Sequence, residues 1–151
     1  MRMGKIPKAI VEQDFSYVVK NYIHEKFAIQ LSNEWENENI RFQVTRNLGL
    51  DGETNFGKRK RRCLIKIKRQ VAKSKFVCWR RAILCHELGH ALHYFNGQIF
   101  KGEEHGRVWK NLMASAIKEG KIKTCAKKLQ SPPEQCIFKQ DCDLCTTNFL
   151  I

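Results

Sequence analysis

The sequence predicts an α+β domain in which helices pack on a small sheet. Three observations carry that reading. Apolar residues recur at helical spacing in several separate segments, and two short segments alternate apolar with polar residues. The third is scale: 151 residues suit one domain, and 42% hydrophobic residues suffice for a core.

The elements follow in order. Asp14 has the chemistry of a helix N-cap, and Phe15, Val18, Val19, Tyr22, Ile23 and Phe27 recur at helical spacing after it. One amphipathic helix is expected from about Phe15 to Leu31. Asn33 to Asn39 is polar and acidic and reads as a loop. Ile40, Phe42 and Val44 alternate with polar residues and predict a half-buried strand. Leu48 to Gly57 carries Gly49, Asp51-Gly52 and Asn55-Phe56-Gly57, which are turn signals. Cys63 to Lys68 predicts a second strand, with Cys63, Ile65 and Ile67 on one face. Phe76 to Phe95 is helical and strongly apolar, and Asn96-Gly97 ends it as a left-handed cap would. Val108, Leu112, Met113, Ala116 and Ile117 mark a third helix, closed by Gly120. Lys121 to Leu129 reads as a short fourth helix, and Pro132-Pro133 breaks the chain. The expected division is a domain over 1–130 and a cysteine-bearing tail over 131–151.

Charge and cysteine content narrow the partners. The chain has 28 Lys and Arg against 15 Asp and Glu, a net charge of +13. A surface this basic favours polyanions, nucleic acid foremost. The densest region is the run Lys58, Arg59, Lys60, Arg61 and Arg62, continued by Lys66, Lys68 and Arg69, with Arg80 and Arg81 further on. DNA bound without sequence specificity is the expected partner. Phe76 and Trp79 are the aromatic residues placed to stack on bases, although core packing accounts for them better. No apolar run approaches the roughly 18 residues of a membrane span, and Met1 to Ile10 has no apolar segment of secretory type. The expectation is a monomer inside the cell, cytoplasmic and DNA-associated, or nuclear in a eukaryote. Seven cysteines, an odd number without a secretion signal, argue for core thiols or metal ligands rather than disulfides.

The chemistry concentrates in His86-Glu87-Leu88-Gly89-His90. Residues four apart on a helix share a face, about 6 Å apart at the base of the side chain. Two imidazoles so placed can bind one Zn²⁺, and Glu87 can act as general base on a water without itself binding metal. The flanking Ile83, Leu84, Ala91 and Leu92 imply a buried helix, where such a polar cluster without a metal would be costly. Catalytic zinc usually takes a third protein ligand, and His93, His105, Glu103 and Glu104 are the candidates. A ligand from beyond a turn closes a tetrahedral site more easily than a third side chain of one helix. That favours His105 and leaves His93 as a packing histidine or one supporting the site. His24 reads as structural or solvent-exposed. One zinc per chain is expected.

His86 to His90, fourteen residues, then His105-Gly106-Arg107-Val108-Trp109 resembles the SprT-like metallopeptidases, which include the Spartan proteases. The resemblance spans roughly Asp14 to Ile117 and is most specific from Cys85 to Trp109. It implies a zincin-like fold, with His86, His90 and His105 as zinc ligands and Glu87 as catalytic base. It further implies an endopeptidase acting on DNA-bound or DNA-crosslinked proteins. Many members of that family carry a zinc ribbon with paired CxxC motifs after the protease domain. Here Cys142 and Cys145 form one such pair, whereas Cys125 and Cys136 stand singly. These four are candidate ligands of a degenerate second zinc site, although their spacing favours free or core thiols. Two other readings remain open. The string His86 to His93 also resembles the ImmA/IrrE-type peptidases, which cleave a repressor. A non-catalytic basic protein with structural zinc would bind nucleic acid, but would have no use for Glu87.

Overall fold

The computed structural model describes residues 5–74, 77–97 and 107–118. Five helices and three strands run in the order α1 (Lys5–Asn21), α2 (Glu25–Glu36), β1 (Ile40–Thr45), β2 (Gly52–Phe56), β3 (Cys63–Lys68), α3 (Arg69–Ala72), α4 (Val77–Phe95) and α5 (Arg107–Ala116) among those residues. The α+β expectation holds at this level. Three of the predicted elements fall close to β1, β3 and α4, and the helix marked by Val108 to Ile117 is α5.

The first predicted helix is two. Val11, Phe15, Val18 and Val19 form the buried face of α1, which starts nine residues ahead of the expected cap. The break comes from tertiary pairing. Ile23 forms an antiparallel bridge with Ile117. The His24 N–H donates to the Ala116 carbonyl at 2.8 Å, and the Lys118 N–H donates to the Tyr22 carbonyl at 2.8 Å. Those bonds take the Tyr22 carbonyl and the His24 N–H out of the helical ladder, although the Tyr22 N–H still donates to the Val18 carbonyl at 2.8 Å. Asp14 therefore lies in the middle of α1 and caps nothing. It is buried and faces α4, where Arg80 Nε lies 2.9 Å from Oδ2 and Arg81 Nε 3.4 Å from Oδ1.

Two further expectations are corrected. The segment Asn33 to Asn39, read as a loop, is helical through Glu36. Its Trp35 ring packs on Phe15 and Phe42 with centroids 5.4 Å away in each case, and burial of that ring holds the last turn of α2 in place. Glu38 then ends the helix with a φ of 61°. The stretch read as turns between Leu48 and Gly57 contains β2. Polar residues such as Glu53, Thr54 and Asn55 give it no apolar alternation, and its pairing partner β3 supplies the order instead.

The sheet order is β1-β3-β2, with β1 parallel and β2 antiparallel to β3. Ile40 and Phe42 of β1 and Cys63, Ile65 and Ile67 of β3 are buried, as alternation on a one-sided sheet requires. Helices α1 and α2 lie against β1, and α4 lies against β2 and β3. Helix α4 is buried nearly all round, from Trp79 to Phe95, which makes it the centre of the domain. Gly97 follows it with a φ of +69°, the left-handed termination expected at Asn96-Gly97. No helix among the described residues is long and apolar enough to cross a membrane. The fourth predicted helix and the tail lie outside the described residues.

Candidate metal centre

Helix α4 brings His86 and His90 together. Their Nε2 atoms are 3.1 Å apart and both side chains are buried. Two nitrogens on one tetrahedral zinc, each about 2.0–2.1 Å from the metal, stand about 3.3 Å apart. The pair therefore fits a shared cation without rearranging the helix. Trp109 of α5 packs on both rings, with centroids 4.8 Å from His86 and 5.2 Å from His90. It fixes the imidazole planes from one side. The Met113 side chain of α5 fills the space over Gly89, where a Cβ would collide with Met113 Sδ.

Glu87 points to strand β2. Thr54 Oγ1 donates to Glu87 Oε1 at 2.8 Å and lies 3.3 Å from the Glu87 carbonyl oxygen. Gly52, two residues earlier and on the same face of the strand, leaves room for the carboxyl. A Cβ on Gly52 would stand 3.0 Å from Glu87 Cγ and 3.1 Å from Oε2. Burial pushes the Glu87 carboxyl up to about 7; the Thr54 hydrogen bond opposes this and the nearby Glu53 charge adds to it. An acid in that range can take and return a proton near neutral pH.

His93 is buried, and neither of its ring nitrogens has a hydrogen-bond partner among the described residues. Among those residues no three His, Cys, Asp or Glu side chains converge as a metal site would require, so His93 does not join His86 and His90. His105, Glu103 and Glu104 lie outside the described residues, as do Cys125, Cys136, Cys142 and Cys145. His24 is exposed at the start of α2. Cys63 and Cys85 are buried free thiols. Burial raises both, Cys63 to about 12, which leaves them inert core residues.

The basic run forms the turn of the β2–β3 hairpin. Lys58, Arg59, Lys60, Arg61 and Arg62 are exposed. Arg61 is engaged as well: its Nη2 lies 2.6 Å from Glu34 Oε2, and its guanidinium sits 4.9 Å above the centre of the Phe95 ring. Tyr94 of α4 ties down the turn from inside. Its hydroxyl lies 3.1 Å from the Gly57 carbonyl and 3.2 Å from that of Lys60, and accepts the Arg62 N–H at 3.3 Å. Its ring stacks on Phe56 at 4.7 Å. Lys66, Lys68 and Arg69 are half-buried, and Lys66 is paired across the sheet with Glu53. Arg80 and Arg81 do not extend the free basic surface, because Asp14 holds both and Arg81 also lies 3.6 Å above the Tyr17 ring centre. Trp79 is core, and Phe76 lies outside the described residues.

Fold and site together define a mixed α+β domain whose central helix presents a histidine pair and a buried carboxylate to one edge of the sheet. The SprT-like family model matches residues 15–129, and the chain belongs to that family. Neither curated proteins nor solved structures gave a match. The residues that the sequence did not single out are Thr54 and Gly52. Gly52 carried only a turn signal, and no pattern marks a threonine that meets Glu87 from another element.

Proposed function

We propose that the protein is a zinc-dependent endopeptidase with a zincin-like active site, acting on proteins held on DNA. The observation that carries the reading is the 3.1 Å approach of the His86 and His90 Nε2 atoms beside the buried carboxyl of Glu87. Membership of the SprT-like family supports it. His86 and His90 would hold the zinc, with His105 as third ligand. Zinc supplies Lewis acidity, acidifying water and polarising the carbonyl of a peptide bond.

The chain's own residues do the rest. Glu87 takes the proton of the attacking water and returns it to the departing amine. Trp109 packs on both imidazoles and restrains their rings. The exposed turn Lys58 to Arg62 supports DNA as partner, because lysine and arginine neutralise phosphates regardless of base sequence. A protein substrate on the same DNA is then presented at high local concentration, and weak peptide affinity suffices.

Metal analysis and proteolysis test the reading together. Purified protein should hold about one zinc per chain. Glu87→Gln should keep that zinc and lose hydrolysis by at least about 100-fold, since general-base catalysis is worth that much. His105→Ala should weaken zinc retention, whereas His93→Ala should alter it little. Near-normal turnover in Glu87→Gln would sink the mechanism, and a second zinc lost on Cys142→Ser would establish the tail as a metal site.

A further inference from the structure

We propose that Thr54 is a positioning residue that fixes the Glu87 carboxylate, so that Oε1 is held by Thr54 and Oε2 is the oxygen left to take the proton of the attacking water and return it to the departing amine. This rests on the peptidase reading above and goes beyond it, because it assigns separate tasks to the two oxygens and gives β2 a part in the chemistry.

Glu87 has three side-chain torsions, and the helix restricts the first while leaving the outer two open. Thr54 Oγ1 touches both ends of the residue, the main-chain carbonyl at 3.3 Å and Oε1 at 2.8 Å. A hydroxyl has one proton, and the shorter contact takes it. That bond anchors the end of the Glu87 side chain to β2 and restricts its torsions. From the same face of the strand, the bare Cα of Gly52 accommodates Cγ, Cδ and Oε2. The Thr54 hydroxyl donates to the carboxyl group and has no capacity to act as base in its place. Its task is geometric, and it is met from β2, an edge of the sheet that is itself fixed to β3 by pairing from Gly52 to Phe56.

Thr54→Val keeps the shape of the side chain and removes the hydroxyl; Thr54→Ser keeps the hydroxyl. In steady-state proteolysis, Thr54→Val should lower kcat by about 10- to 100-fold, the worth of one hydrogen bond to a charged group. KM and zinc content should stay near wild type. Thr54→Ser should restore most of the rate. A second measurement needs no activity: the infrared difference spectrum of wild type minus Glu87→Gln isolates the Glu87 carboxylate stretch. That band should shift in the Thr54→Val background and return in the Thr54→Ser background. An unshifted band, or a kcat for Thr54→Val equal to wild type in an active enzyme, overturns the assignment. A shifted band in a protein that cleaves no peptide leaves the Thr54 contact standing and refutes the peptidase reading instead.

Discussion

Glu87 sets the pH behaviour of the site. Its folded value is raised from 4.5 to about 7 by burial. The neutral carboxyl is the form that the buried position tolerates. Stability from this group is therefore complete below about pH 4.5 and is lost as the pH rises through about 7. With metal stripped by a chelator, Glu87→Gln should match wild type in stability at pH 4.5, gain on it between pH 4.5 and about 7, and keep a constant advantage of a few kcal/mol at most above that. A constant difference across that range would show that charge burial is not the cause. The same residue marks the limit of what the sequence discloses. His86, Glu87 and His90 are legible because one helix carries them at fixed spacing, and the paired imidazoles need only the 3.6-residue repeat. Thr54 and Gly52 are illegible because their contact with Glu87 is set by how a strand 33 residues away docks on that helix.

Among the elements, the tie between α1 and α4 shows how tertiary contacts override local signals. Asp14 resembles a cap in sequence because a small acid precedes an apolar run. In the fold it is a buried anion between two guanidiniums. Both arginines are largely covered, so losing Asp14 leaves two poorly solvated cations side by side on α4 with no anion opposite them on α1. Asp14→Ala should cost about 3–5 kcal/mol, the usual penalty for breaking a buried pair. Urea unfolding would register this as a lower midpoint at unchanged slope; a loss below about 1 kcal/mol would mean that water already solvates the cluster. Strands β1 and β3 were legible for the opposite reason. Their Ile40, Phe42, Cys63, Ile65 and Ile67 face a core on one side only, so alternation survives in the sequence. Strand β2 lines the site and meets the core only through Phe56, and its Gly-Glu-Thr-Asn-Phe sequence has no such signature. The break between α1 and α2 is equally hidden, since it depends on Ile117, which lies 94 positions beyond Ile23.

At the scale of the whole molecule the net charge of +13 overstates the free basic surface. Asp14 engages Arg80 and Arg81, Glu34 engages Arg61, and Glu53 faces Lys66. Four residues of the hairpin turn, Lys58, Arg59, Lys60 and Arg62, remain exposed without an acidic partner among the described residues. Neutralising about five phosphates there and nearby would give a log–log salt slope between about −4 and −5 on duplex DNA. Glutamine at those four positions should flatten the slope toward zero and leave zinc content intact. If the variant binds duplex DNA as tightly as wild type, or if DNA leaves cleavage unchanged, the nucleic-acid half of the proposal fails and a repressor-type substrate gains ground. Tyr94 gives that turn one more property. It stands four residues after His90, one turn further along the same helix, and its hydroxyl grips the hairpin at Gly57, Lys60 and Arg62. The turn is thus mounted on the helix like a guide fence on a saw bench. On the proposed function, a long polymer lying along that fence would meet the histidine pair at one offset, and the reach of any attached chain would decide whether it is cut.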